Sequence, residues 1–123
     1  MFEDAIVVDS YPRAEAIADG FLFDVTEPAA AQGFTCSVAL GTQAWNDAVA
    51  YNGDTEAYPA RINAVLVAAR EAIRDWPVVA YRGEFAVERT DAGEVPDRVT
   101  LTAHFGPGDV GEVVATIMGP DDE

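Results

Sequence analysis

The sequence has no lysine, one cysteine and one histidine. Because Cys36 is the single cysteine, the chain can form no internal disulfide, and a zinc site of several thiolates is excluded. His104 is the single histidine, and a dyad with Cys36 would require two distant segments to meet. The residues around Cys36 do not resemble the turn of an activated nucleophile. We therefore expect a buried structural thiol and an exposed histidine.

Long apolar runs are also lacking. No stretch approaches the roughly 20 apolar residues that a membrane helix needs. Residues 1–4, MFED, are acidic where a secretory signal would be basic. We expect a cytoplasmic protein that does not associate with membranes.

Positive charge is scarce, since 22 acidic residues outnumber seven arginines and the formal net charge is −15. Such a surface repels phosphate backbones, so we expect no direct binding of nucleic acid. Three explanations of the acidity stay open. The first is a solvated surface, as in a salt-adapted (halophilic-type) organism or one with a GC-rich genome. The second is mimicry of the phosphates of DNA. The third is an acidic face for some other basic partner.

The C-terminal third predicts a sheet. At 123 residues with half of them hydrophobic, the chain is long enough for one domain, residues 1–123, with its own core. Alternating apolar and polar residues predict a meander of three antiparallel strands within residues 78–118, at 78–88, 98–105 and 112–118. One apolar and one mixed face are typical of a sheet covered on a single side. Residues 106–111, GPGDVG, predict the hairpin loop between the last two strands.

Helices are predicted ahead of this sheet. The longest spans about residues 58–76, where apolar side chains recur at steps of three and four residues and form one stripe. Shorter helices are expected up to residue 18 after a Ser10 cap, at 27–32 after Thr26, and at 43–51 after Thr42. Residues 5–8 predict an opening strand. The fold class is therefore α+β, an antiparallel sheet of three or more strands packed on one face by the long helix and the shorter helices.

A search for chemistry finds no catalytic constellation. The GPGDVG segment matches the spacing GxGxxG, but it runs into a strand, so it offers no helix N-terminus to a pyrophosphate. The acidic tail at residues 121–123 is typical of a solvated terminus and not of a calcium site. We expect no catalytic residue, no bound metal and no cofactor.

The residues singled out are charged ones. Arg70 and Arg74 form a small basic spot able to receive a carboxylate, and His104 is the remaining weak candidate. The candidate surface for a basic protein partner consists of seven acidic residues from the predicted sheet and the C-terminus: Glu84, Glu88, Asp109, Glu112, Asp121, Asp122 and Glu123.

Several separated motifs occur along most of the chain in one order: SYPRAEAIADG at 10–20, FDVT at 23–26, AQGF at 31–34, VAL at 38–40, AW at 44–45, the helix at 61–74, VTL at 99–101, GPGD at 106–109, GE at 111–112 and TIM at 116–118. On these motifs the sequence resembles a small uncharacterised family encoded on bacterial plasmids, conjugative elements and phages. Two departures are Asn46-Asp47, where relatives often have an acidic or basic residue after the tryptophan, and the divergent stretch 51–60.

The resemblance implies an accessory role for a mobile genetic element in transfer, maintenance or defence against host restriction and CRISPR systems, and it implies no catalytic residue. We expect a non-enzymatic protein that binds a basic protein through its acidic surface, with an anti-defence DNA mimic as the most concrete form. Two alternatives stay open. One is a small enzyme with a site of a carboxylate, His104 and an arginine. The other is a homo-oligomeric structural protein of a salt-adapted organism, such as a homodimer formed through an exposed edge strand.

Overall fold

A five-stranded sheet with helices against it forms the structure, a computed structural model that describes residues 12–89 and 98–122. Single 3-10 turns at Thr55–Ala57 and Pro120–Asp122 flank the longer elements. In chain order these elements are α1 (Arg13–Ala18), β1 (Leu22–Asp24), α2 (Thr26–Ala31), β2 (Ser37–Gly41), α3 (Thr42–Ala48), α4 (Tyr58–Arg74), β3 (Arg82–Glu88), β4 (Arg98–Pro107) and β5 (Val113–Met118).

The strands lie in the order β1-β2-β5-β4-β3. Strands β3, β4 and β5 form the predicted antiparallel meander, and β1 pairs antiparallel with β2. Strand β2 runs parallel to β5, because the chain crosses from one to the other through α3, α4 and the first two meander strands. The predicted α+β class is confirmed, and the sheet is mixed and has five strands.

The core lies between the sheet and α4, the predicted long helix. Its apolar stripe brings Val65, Leu66 and Ala69 into the core cluster that also contains Phe85 of β3 and Leu101 of β4. Each fully buried large side chain stabilises the fold by about 1.5 to 3 kcal/mol. No helix in residues 12–89 or 98–122 is long and apolar enough to cross a membrane.

The second face of the sheet is partly covered as well. Ala39 of β2 and Val114 of β5 are buried although they alternate with the core residues of their strands. Helix α1 lies beside β1, and the Arg13 guanidinium donates to Thr116 Oγ1 and to the Ala115 carbonyl, both at 2.8 Å. Strands that pair in parallel are usually buried on both faces. The prediction of a single covered face is therefore wrong for the central strands β2 and β5.

Some predicted boundaries change. Strand β3 begins at Arg82 and not at residue 78, because residues 77–80 form a turn in which the Ala80 amide donates to the Pro77 carbonyl. Val78 and Val79 are therefore fully exposed and lie outside the strand. Thr26 and Thr42 are the first residues of their helices and not the caps. The predicted strand at 5–8 and the Ser10 cap lie outside the described residues.

Candidate functional site

Asp122, one of the candidate surface residues, caps helix α3 from across the chain. Its Oδ1 accepts the Gln43 amide at 2.9 Å, and its Oδ2 accepts the amides of Ala44 at 3.0 Å and Gly119 at 2.8 Å. A helix begins with amides that have no partner within the helix, and a carboxylate satisfies them while it complements the helix dipole. This half-buried carboxylate therefore serves the fold.

Asp109 in the β4–β5 hairpin has a similar role at helix α1. Its two oxygens accept the amides of Arg13 at 2.7 Å and Ala14 at 3.0 Å. These backbone hydrogen bonds lower the pKa of the Asp109 carboxyl below its ordinary value, and the bond from Ala14 has the largest effect. Within the same hairpin, Glu112 accepts the amide of Val110 at 3.1 Å. Two further candidate carboxylates thus hold local structure.

The remaining candidate carboxylates lie on the surface without a comparable role. Glu84 and Glu88 are exposed on β3, which is the last strand of the sheet in the described part of the chain. Glu88 pairs with Arg98 of the neighbouring strand at 3.3 Å, with both side chains about two-thirds exposed. Asp121 is exposed, and its amide donates to the Gln43 side chain. Glu123 lies outside the described residues.

The fold separates the two signs of charge by depth. Fifteen of the 22 acidic residues lie in the described ranges, where thirteen of them are exposed and none is buried. All seven arginines lie in those ranges, and only three of them are exposed. The accessible surface of the described chain is therefore more acidic than the composition alone indicates.

The two arginines that are buried in the described chain, Arg61 and Arg89, meet at Tyr51. The Arg61 guanidinium lies 4.1 Å and the Arg89 guanidinium 5.3 Å from the ring centroid of Tyr51, an arrangement for cation–π attraction. Arg61 donates to the Val49 carbonyl at 2.7 Å and Arg89 to the Asp47 carbonyl at 2.8 Å. Arg89 thus holds the last turn of α3, and Arg61 holds the first residue after it. No pattern in the sequence indicates this cluster, because its members lie far apart and follow no period.

His104 and Cys36 lie on opposite faces of the sheet. His104 is half-buried, pairs across the strands with Arg82 and Thr116, and meets the Tyr81 ring edge-on at 5.6 Å between centroids. Cys36 packs against the core on the face that carries α4. A Cys36–His104 dyad is therefore not formed. Among the described residues, no group of three or more His, Cys, Asp or Glu side chains is placed to hold a metal ion.

A cavity of about 220 Å³ lies between α4 and the end of the sheet where β2 begins. We call it the Arg70 cavity. Burial raises the pKa of the Cys36 thiol on its wall, and the nearby Arg13 cation opposes this effect only in part, so the thiol is neutral at physiological pH. Its described lining residues are Gly33, Phe34, Thr35, Cys36, Arg70, Ile73 and Phe105.

Arg70 and Arg74, the two basic candidates, share a single carboxylate. Glu71 lies 3.3 Å from Nη2 of Arg70 and 3.1 Å from Nη1 of Arg74. Arg70 also donates through Nη1 to the backbone and side-chain oxygens of Gln32, both at 3.2 Å. Only Arg70 of this pair lines the cavity. The structure thus places Arg70 of the predicted basic spot at a cavity and leaves Arg74 outside its lining.

No family model, curated protein or solved structure matches this chain.

Proposed function

We propose that this protein acts by binding a basic protein partner, and that the outer edge of β3 is the acidic surface it uses. The observation that carries the proposal is the separation of charge by depth, in which carboxylates stay exposed while most arginines are drawn into the fold. Complementary charge speeds the encounter of two proteins and selects among partners. The protein needs no catalytic group for this role.

The edge of β3 is favoured because the fold leaves its carboxylates accessible. Asp109, Glu112 and Asp122 accept backbone amides, whereas Glu84 and Glu88 are exposed, and Glu88 meets only the equally exposed Arg98 side chain among the described residues. The Phe105 amide donates to the Tyr81 carbonyl, so the backbone groups of residues 81, 83, 85 and 87 face β4. Those of residues 82, 84, 86 and 88 face outward, which suits the addition of a partner strand.

A mimic of DNA is one form that this function would take. It requires carboxylates that follow one side of the molecule at the spacing of phosphates. The described carboxylates instead occur on each of the four helices in residues 12–89 and 98–122, as well as on β1, β3 and the hairpin. We therefore propose recognition of a basic protein at one edge, with the remaining carboxylates serving solubility.

Affinity capture with matched charge variants tests the proposal. Tagged wild type, the double variant Glu84→Gln/Glu88→Gln and the control Glu15→Gln/Glu27→Gln are exposed to a lysate of the producing organism at low and moderate salt. Both variants remove two exposed charges, but only the first removes them from β3. We expect a salt-sensitive partner that the control retains and the β3 variant loses. Equal capture by all three proteins, or no capture, contradicts the proposal.

The same edge supports a second candidate, a homodimer. If two copies of β3 pair antiparallel about Phe85, the Arg82 of each copy lies opposite the Glu88 of the other, so the pair occurs twice. Glu84 then lies opposite Ala86. Sedimentation velocity distinguishes this candidate from a monomer. We then expect Arg82→Glu to yield a monomer and the control Arg74→Glu to remain a dimer, whereas a monomeric wild type rejects the candidate.

A further inference from the structure

The Arg70 cavity combines an apolar interior with a cation, although the chain as a whole is strongly acidic. Phe34, Ile73 and Phe105 provide apolar walls, and each packs against the hydrophobic core. None of the described lining residues is acidic, in a chain that has 22 acidic residues. A cavity of about 150 Å³ with apolar walls of leucine, isoleucine and phenylalanine is enough to hold a benzene molecule. The Arg70 cavity has a volume of about 220 Å³ and therefore has room for a ring with a short substituent.

The guanidinium at the rim retains hydrogen-bonding capacity. A guanidinium has five N–H donors. The contacts of Arg70 with Gln32 and Glu71 are long, at 3.2 to 3.3 Å, and occupy three of them. The buried Nε of Arg70 has no acceptor among the described residues, while 40% of the side chain is exposed. A carboxylate is the acceptor that forms the strongest, charge-assisted hydrogen bonds with a guanidinium.

The charge around Arg70 also favours an anion. Glu71 contacts both Arg70 and Arg74, so one carboxylate neutralises only one of two cations. The cavity wall adds no competing negative charge, since Cys36 is held as a neutral thiol.

We propose that the Arg70 cavity binds a small carboxylic acid with an apolar body, its carboxylate on the Arg70 guanidinium and its apolar part against Phe34, Ile73 and Phe105. This site lies on the helix-covered side of the sheet, and the proposal does not depend on the protein partner proposed above.

Phenylacetate is a suitable probe, and the δ1 methyl group of Ile73 is the reporter. The chain has five isoleucines, of which Ile73 lines the cavity, while Ile62 and Ile117 lie elsewhere in the core and serve as internal references. Because a ligand of about ten non-hydrogen atoms binds weakly, the probe is titrated into the millimolar range. We expect a saturable shift of the Ile73 methyl signal with phenylacetate and none with phenethylamine or benzyl alcohol. No saturable shift, or an equal shift with either control compound, overturns the proposal.

Variants test the role of Arg70. We expect Arg70→Gln to weaken phenylacetate binding by about tenfold or more, the loss expected for a charge-assisted hydrogen bond. Arg74→Gln is the matched control, because it removes the same charge and the same Glu71 contact from a residue outside the cavity. Equal losses in both variants would reduce the site to nonspecific attraction and overturn the proposal.

Two further measurements keep the test decisive if Arg70→Gln disturbs the fold. Thr35 is exposed at the cavity wall, so Thr35→Asp places a carboxylate beside the bound one, while Thr35→Asn is its neutral control. We expect only the aspartate variant to lose binding. In the wild type, phenylacetate should slow the alkylation of Cys36, the one cysteine, by neutral iodoacetamide. An unchanged alkylation rate at saturating probe, or binding retained by Thr35→Asp, contradicts the proposal.

Discussion

Replacement of Asp122 by asparagine tests how the C-terminus holds helix α3. The substitution keeps the size of the side chain, but both carboxylate oxygens accept backbone amides in the wild type. An asparagine has one acceptor oxygen, so its amide nitrogen must face at least one of these N–H groups. The loss of a cap typically costs about 1 kcal/mol, and a buried donor left without a partner costs about 1–3 kcal/mol. We therefore expect Asp122→Asn to lower the free energy of unfolding by about 2–3 kcal/mol.

Urea unfolding followed by circular dichroism measures this loss, and Asp121→Asn is the control. Asp121 is adjacent and exposed, so its substitution removes the same charge without touching the cap and should change stability by less than about 0.5 kcal/mol. Gly41→Ala offers a second route, because a Cβ at Gly41 would lie 2.5 Å from the Asp122 Cγ and displace the carboxylate. If Asp122→Asn unfolds at the same urea concentration as Asp121→Asn, the capping argument is refuted.

Three other predictions concern pH, packing and salt. Amide donors lower the pKa of the Asp109 carboxyl in the folded state, so the ionised carboxylate stabilises the fold fully above the unfolded pKa of about 3.9. This stabilisation disappears as the pH falls through the lower folded pKa. The wild type and Asp109→Asn should therefore converge in stability in acid. Gly83→Ala should lower the free energy of unfolding by about 1–3 kcal/mol, since the new Cβ would lie 2.6 Å from the Trp76 ring. In a Trp76→Ala background this loss should be smaller, and an equal loss in both backgrounds contradicts the contact. Because the net charge is −15, the melting temperature should rise from dilute buffer to molar sodium chloride, and an unchanged value refutes self-repulsion as a limit on stability.

Periodic patterns allowed the fold class to be predicted. The stripe of α4 and the alternation in β3, β4 and β5 are local features, because each repeats with the period of its own secondary structure. The prediction extended β3 back to residue 78 because Val79 and Tyr81 alternate in phase with Phe85. The turn at 77–80 takes Val79 out of the strand, and Tyr81 lies just before β3, although its carbonyl accepts the Phe105 amide. Short-range alternation does not reveal where a strand acquires a neighbour.

The features that the sequence left open depend on contacts between distant residues. The parallel pairing of β2 with β5 joins segments more than 70 residues apart, and nothing within β2 indicates its partner. The cap of α3 is supplied by Asp122, while Thr42 offered a plausible local cap that the fold does not use. Arg70 is recognisable in the sequence as part of a basic spot, but the cavity beside it forms only where α4 meets the segment before β2. A side chain whose role depends on a contact with a distant segment cannot be recognised from the spacing of residues along the chain.

The most direct test of the proposed acidic docking edge of β3 is to measure the affinity of the captured partner for the wild type and for both charge variants. The titrations are made at about 0.05 and 0.2 M sodium chloride, because the electrostatic screening length is appreciably shorter at the higher concentration. We predict that Glu84→Gln/Glu88→Gln weakens binding by about tenfold at the lower salt, that Glu15→Gln/Glu27→Gln stays close to the wild type, and that added salt reduces the difference. Equal affinities of the two variants, or a β3 effect that salt leaves unchanged, would contradict recognition at this edge.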